Sequence, residues 1–400
     1  MNILFLTISR INSLKTRGIY ADLMNELRDR GHKIYIASPT ERRFGEPTHL
    51  IEEDGVEILK IKTLNVQKTN VIEKGIGTLL LEGQFDRAIR KQWANVKFDL
   101  VLYSTPPITF NKVIRAIKKR CGARSYLMLK DIFPQNAVDL GMMKQGSVIH
   151  RIFRRKEHEL YSLSDKIGCM SPANCQYVID NNPEIDPAKV ELCPNAVKPI
   201  DIKPLGEKER VDLLSKLSLP TDKTLYIYGG NLGKPQGLDF LLEVIQSNEQ
   251  RKDSHIVIVG DGTEYARVKA WFEAHVPNNA TLIARLPKED YDNLIRACHV
   301  GLIFLDPRFT IPNYPSRLLS YLENSMPVLL ATDPNTDMGR IAEANGFGLW
   351  AHSGDIDKFM ANMDKLSSID TIEKMGKKGF DFLQSNYTVN RVAELIMNEK

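Results

Sequence analysis

Five cysteines in 400 residues, Cys121, Cys169, Cys175, Cys193 and Cys298, are odd in number and scattered. None forms a CxxC pair, which speaks against a disulfide framework and against a zinc or redox site of that kind, and suits a reducing compartment. No apolar run approaches the roughly 18 residues that span a bilayer, so any membrane contact is expected to be peripheral. Neither a basic leader nor a small-residue cleavage site precedes the strand-like run Ile3–Thr7, and no signal peptide is expected. GxGxxG is missing from the first strand–helix–strand unit, residues 1–39, so a dinucleotide site is not indicated there. His32, His255, His275 and His299 flank strands or helices and read as structural, without a Ser/His/Asp arrangement around them. Aromatics are not interleaved with the basic runs, which disfavours nucleic acid as a partner.

What is present is an ordinary globular composition, 42% hydrophobic and 26% charged. The length exceeds what one core serves, so two domains are expected. A net charge of +4 hides an asymmetry: residues 1–200 hold 31 Lys and Arg against 22 Asp and Glu, and residues 201–400 hold 23 against 28. The halves are expected to face different partners.

Along the first half, an apolar strand, a polar loop with Arg17 and Gly18, a helix to Arg30 and a strand at 33–37 form a βαβ unit, which implies a parallel sheet covered by helices. Residues 40–98 are dotted with Arg42, Arg43, Lys60, Lys62, Lys68 and Lys74 and carry a helix near Phe85 to Trp93. Strand and helix then alternate to a turn-rich segment, Pro194–Pro199, read as a hinge. The pattern restarts at Leu225–Tyr228, which runs into the glycine-rich turn Gly229–Gly237. Pro315 and Ser316 read as a helix start, with Ser316 able to cap free N–H groups and Arg317 offering a fork suited to phosphate oxygens. Asp131, beside Lys130 at a strand end, is a candidate hydrogen-bond acceptor or base, with a turn or capping role as its alternative. Asp355 and Asp357 match a metal-binding DxD but sit before a helix and read as capping. The basic run Arg151–Lys156 lies beside Ile149, Ile152 and Phe153, a pattern compatible with an anionic leaflet and equally with a solvated helix face.

These residues resemble a known family, the retaining glycosyltransferases of family 4, and most closely their bacterial capsule and O-antigen branch, such as N-acetyl-L-fucosaminyl transferases. The marks are Thr105-Pro106-Pro107 after a strand, Lys130-Asp131 to Pro134 followed by Gly141, and Glu157 eight residues before Asp165. Pro194–Val197, Gly230–Gly233 with Gly237, Gly260–Gly262 and Pro315–Leu319 complete the set. The resemblance implies an α/β chain of GT-B architecture, with two doubly wound Rossmann-like domains facing across a cleft. Residues 1–198 would bind the acceptor, residues 199–376 the nucleotide sugar, and residues 377–400 would form closing helices.

It further implies retaining transfer of a sugar from a nucleoside-diphosphate donor, UDP first, to a polyprenyl-diphosphate-linked or other glycan acceptor at the cytoplasmic face of the inner membrane. No cofactor and no metal are expected. Asp131, Arg317 and Lys234 would be catalytic. Gly230, Asn231, Gly233, Gly262, Arg285, Ser316, Ser320 and Glu323 would line the donor site, and Arg17, Gly18 and Lys130 the acceptor site. The sequence departs from the family at Pro312 and Ser320, where paired glutamates are usual, and at Asn231 and Gln236, where an arginine and a lysine are usual. Glu323, on nearly the same helix face as Ser320, is the candidate to reach the donor ribose, with a solvated surface glutamate as its alternative reading. Other readings on the same fold are a sugar-nucleotide 2-epimerase and a non-catalytic nucleotide-binding relative that acts as a partner protein.

Overall fold

A computed structural model describes residues 1–66 and 71–398, apart from some side chains between 71 and 76. Lys68 and the side chain of Lys74 lie outside the described residues. The chain divides into two compact units, Met1–Lys198 with Val389–Lys400, and Pro199–Thr388.

The first unit holds an eight-stranded sheet. Its strands are β1 (Asn2–Leu6), β2 (Lys33–Glu41), β3 (His49–Glu53), β4 (Val56–Thr63), β5 (Leu100–Ser104), β6 (Arg124–Leu129), β7 (Lys166–Cys169) and β8 (Val190–Leu192). They run in the order β3-β4-β2-β1-β5-β6-β7-β8, all parallel except for β3 against β4. Central strands buried on both faces read as near-continuous apolar runs, as Ile3–Leu6 and Leu100–Tyr103 do here. The helices are α1 (Ile19–Asp29), α2 (Val71–Gln92), α3 (Asn111–Cys121), α4 (Gln135–Asp139), α5 (Val148–Leu163) and α6 (Pro172–Asn181).

The second unit holds a six-stranded, wholly parallel sheet. Its strands are β9 (Thr224–Asn231), β10 (Ser254–Asp261), β11 (Ala280–Ala284), β12 (Val300–Phe304), β13 (Val328–Thr332) and β14 (Gly348–His352), in the order β11-β10-β9-β12-β13-β14. Its helices are α7 (Glu207–Lys216), α8 (Leu238–Ser247), α9 (Tyr265–His275), α10 (Lys288–Ala297), α11 (Arg317–Glu323), α12 (Met338–Ala344), α13 (Ile356–Lys365) and α14 (Ile369–Asn386). Asp355 caps α13 by accepting the Lys358 N–H at 3.0 Å.

Residues 377–400 do not form an element of their own. α14 stays with the second unit, whereas the last helix, α15 (Val389–Met397), belongs to the first. Val389, Val392, Ala393 and Ile396 recur at helical spacing and are buried in the core that holds Leu23, Met24 and Leu27. The Val389 N–H donates to the Val197 carbonyl at 3.0 Å, and the Arg30 guanidinium donates to the Asn390 side chain at 2.7 Å.

Candidate functional site

In the second unit, β9, the turn after it and α11 bring a cation onto a bed of tyrosines. The Arg317 guanidinium lies 4.4 Å from the Tyr228 ring centroid and donates one N–H to Gln236 Oε1. Gln236 also accepts from the Tyr228 hydroxyl at 3.3 Å, and that hydroxyl donates to the Asn231 carbonyl at 2.8 Å. Nη1 of Arg317 is buried and has no hydrogen-bond partner among the described residues. Burial works against the charge, but the Tyr228 and Tyr321 phenols more than offset it, and the guanidinium pKa lies above its ordinary value. The group is therefore a fixed cation with an unspent donor, a high-cost arrangement in the absence of an anion.

The turn is shaped for close approach. Gly230 has φ +120°, a conformation that L side chains rarely adopt, and a Cβ there would come within 3.9 Å of the Arg317 guanidinium. At Gly229 a Cβ would overlap the Tyr291 hydroxyl, so that ring packs directly on the strand. The Gly229 N–H donates to the Tyr321 hydroxyl at 3.2 Å, which donates in turn to the Ile227 carbonyl at 3.1 Å.

Several expectations meet corrections here. Ser316 does not cap: it has helical dihedrals, φ −67° and ψ −16°, and its side chain makes no capping bond. With α11 only seven residues long, the cation at this place is the Arg317 side chain rather than a helix terminus. Glu323 is not the solvated surface group of the alternative reading. It is buried in the last turn of α11, where its carboxylate accepts the Ile200 N–H at 3.3 Å. Gly262 packs on the backbone of the preceding turn, where a Cβ would lie 2.3 Å from the Leu232 carbonyl oxygen. Lys234 is exposed on a 3₁₀ turn and makes no hydrogen bond or ion pair among the described residues. The half-buried Ser320 hydroxyl is likewise unengaged, Asn231 is exposed, Gly233 is buried with ordinary dihedrals, and Arg285 is exposed just past β11. Tyr228, Tyr291 and Tyr321 were missed by sequence reasoning, and Gln236 was noted only as a departure from the family pattern. Only the alternation Leu225-Tyr226-Ile227-Tyr228 hinted at an aromatic floor.

In the first unit, Asp131 follows β6 and receives both bonds from Asn136 Nδ2, each at 2.8 Å. The Thr105 hydroxyl accepts the Lys130 and Asp131 N–H groups at 3.0 and 3.3 Å and donates to the Asp131 carbonyl at 3.1 Å, clamping the strand end. Burial raises the Asp131 pKa to about 6 against the Asn136 bonds that favour the anion, with the Glu157 carboxylate adding to the rise. Glu157 is buried too, held by Arg154 at 2.5 Å and the Tyr161 hydroxyl at 2.9 Å. Lys130 reaches the Cys193 carbonyl at 3.4 Å, and burial lowers its pKa. Arg17 is tied down by the Lys198 carbonyl at 2.6 Å and lies 3.9 Å from Asp22, a lock within the unit that competes with an acceptor role. Gly18 is exposed, with extended backbone. Among the described residues no group of three or more His, Cys, Asp or Glu is placed to hold a metal ion.

Two units, each built on a largely parallel sheet, one carrying a fixed guanidinium beside a glycine turn and the other a half-buried strand-end carboxylate, have the GT-B fold. The model of the family described as "Glycosyl transferases group 1" matches residues 210–381, which lie within the second unit. The chain is 23% identical over 295 residues to WbjE of Pseudomonas aeruginosa, named as a glycosyltransferase, covering 72% of this chain and 71% of that protein. It is 22% identical over 276 residues to WcaI of Escherichia coli (strain K12), named as a colanic acid biosynthesis glycosyl transferase, covering 67% of this chain and 65% of that one. The fold is similar to that of Anabaena HepE in complex with UDP, with a TM-score of 0.70 at 13% identity over 100% of this chain and 99% of that one.

Proposed function

We propose that this enzyme transfers a sugar, with retention at the anomeric carbon, from a uridine-diphosphate donor to a polyprenyl-diphosphate-linked glycan in capsule, O-antigen or exopolysaccharide synthesis, without a metal. The observation that carries the reading is the buried, unpartnered Nη1 of Arg317 beside Gly230. The leaving diphosphate takes up most of the charge that develops in the transition state, so a fixed cation beside it stabilises departure of the sugar. Lys234, exposed on the same turn, adds a second charge, and Ser320 one hydroxyl to the nucleoside. Asp131 acts as base toward the acceptor hydroxyl, its pKa of about 6 being close to working pH. In support stand the group 1 domain, two relatives named as glycosyltransferases and the UDP bound to HepE.

Thermal-shift screening against UDP, GDP, TDP and their sugars tests this reading. Stabilisation by UDP is expected; stabilisation by none of the nucleotides favours a non-catalytic relative.

A further inference from the structure

α5 leaves an apolar face uncovered in the middle of a basic stretch. Val148, Ile149 and Ile152 are 69%, 59% and 52% exposed, and Met142 in the preceding loop is 63% exposed. The opposite side of the helix is locked down by buried Glu157, Leu160 and Tyr161, by Phe153 against the Phe133 ring at 5.0 Å, and by the Ser147 cap on the His150 N–H. The exposed side is thus a rigid display. No Asp or Glu occurs between Asp139 and Glu157. Lys144 and Arg155 are exposed and have no side-chain partner among the described residues, and exposed Arg151 bonds only to the Gly146 carbonyl at 3.0 Å. Charge therefore stands around the apolar residues without internal neutralisation.

We propose that this surface, the exposed side of α5 with Met142 and Lys144, docks on an anionic lipid bilayer. The apolar side chains enter the headgroup boundary, and Lys144, Arg151 and Arg155 meet lipid phosphates. A second copy of the chain fits less well, because a two-fold contact through this patch would set its unneutralised cations against one another. The inference names the surface behind the membrane partner and rests on the lipid-linked reading above, but its test is independent of sugar transfer. Docking would also hold the Phe133 end of α5, two residues from Asp131, close to the lipid surface.

The test is co-sedimentation of the full chain with vesicles at low salt, comparing phosphatidylglycerol/phosphatidylethanolamine with phosphatidylcholine alone. The wild type is expected to pellet with the first and not the second. A Val148→Ser, Ile149→Ser, Ile152→Ser variant and a Lys144→Gln, Arg151→Gln, Arg155→Gln variant are each expected to lose about tenfold or more in vesicle binding. Both should keep wild-type UDP binding, which separates docking from folding and from the nucleotide reading. Wild-type protein left in the supernatant with anionic vesicles overturns the proposal, as does an apolar variant that binds as well as the wild type. Concentration-dependent dimers abolished by Ile152→Glu overturn it in favour of self-association.

Discussion

Arg317 keeps its charge in a half-buried place because aromatic faces and a glutamine oxygen surround it, and it holds one donor in reserve. Lysine would keep the charge but lose the planar fork, so Arg317→Lys is expected to recover only part of the turnover lost in Arg317→Ala. Asp131 makes a second prediction at this scale. Its carboxyl stays protonated up to about 6 in the folded chain, whereas an ordinary aspartate ionises near ~4. The folded state therefore binds the extra proton between those values, and stability falls as pH rises through that window. Asp131→Asn should flatten that slope in unfolding titrations. As a base, Asp131 must be ionised, so kcat/KM should climb with pH through about 6, and the same variant should lose both the climb and most of the rate. Lys60 behaves in the opposite sense. Burial lowers its pKa to about 8, where it donates to the Ile11 carbonyl at 2.7 Å beneath the loop after β1. The unfolded chain holds that proton more firmly, so stability should rise between pH 8 and 10, and Lys60→Met should remove that rise. Arg317 and Asp131 were legible in the sequence as candidates; the bed that Tyr228, Gln236, Tyr291 and Tyr321 form around Arg317 was not. It is assembled from β9, the following turn, α10 and α11, elements far apart in sequence, by packing that no local pattern encodes. Glu323 shows the same limit in reverse, since helical spacing aligned it with Ser320 but could not show the Ile200 N–H waiting for it.

Elements were more legible than their endings. Apolar runs bounded by glycine and polar turns marked the parallel strands, and the period-3.6 stripes of α1 and α8 marked covering helices. α11 was visible as a helix, with its start at Ser316 in place, but the expected cap was not made, because a serine after proline satisfies the capping pattern whether or not the backbone leaves the helical region. α15 was visible as an amphipathic helix, yet nothing in its own residues says which core it completes. The answer is the apolar surface of α1. Ile396 is 1% exposed in that core, and Ile396→Ala should cost about 2–5 kcal/mol by loss of burial and the cavity it leaves. Denaturant unfolding should show the loss in the first unit, with UDP binding by the second unit unchanged.

At the scale of the whole molecule, two units with separate cores divide the candidate site residues: the Arg317 guanidinium in Pro199–Thr388 and the strand-end Asp131 carboxylate in Met1–Lys198. Composition divides the charge at nearly the same boundary but in the opposite sense to these two groups, with the excess of Lys and Arg in the first two hundred residues and the excess of Asp and Glu in the second. Calorimetric titration of the full chain with UDP, wild type against Arg317→Ala, tests the central claim most directly. Wild-type binding is expected, with a loss in the variant of about 1.5–3 kcal/mol for a charged hydrogen bond, roughly ten- to a hundredfold in Kd. No heat of binding in the wild type, or equal affinity in the two proteins, would contradict the account.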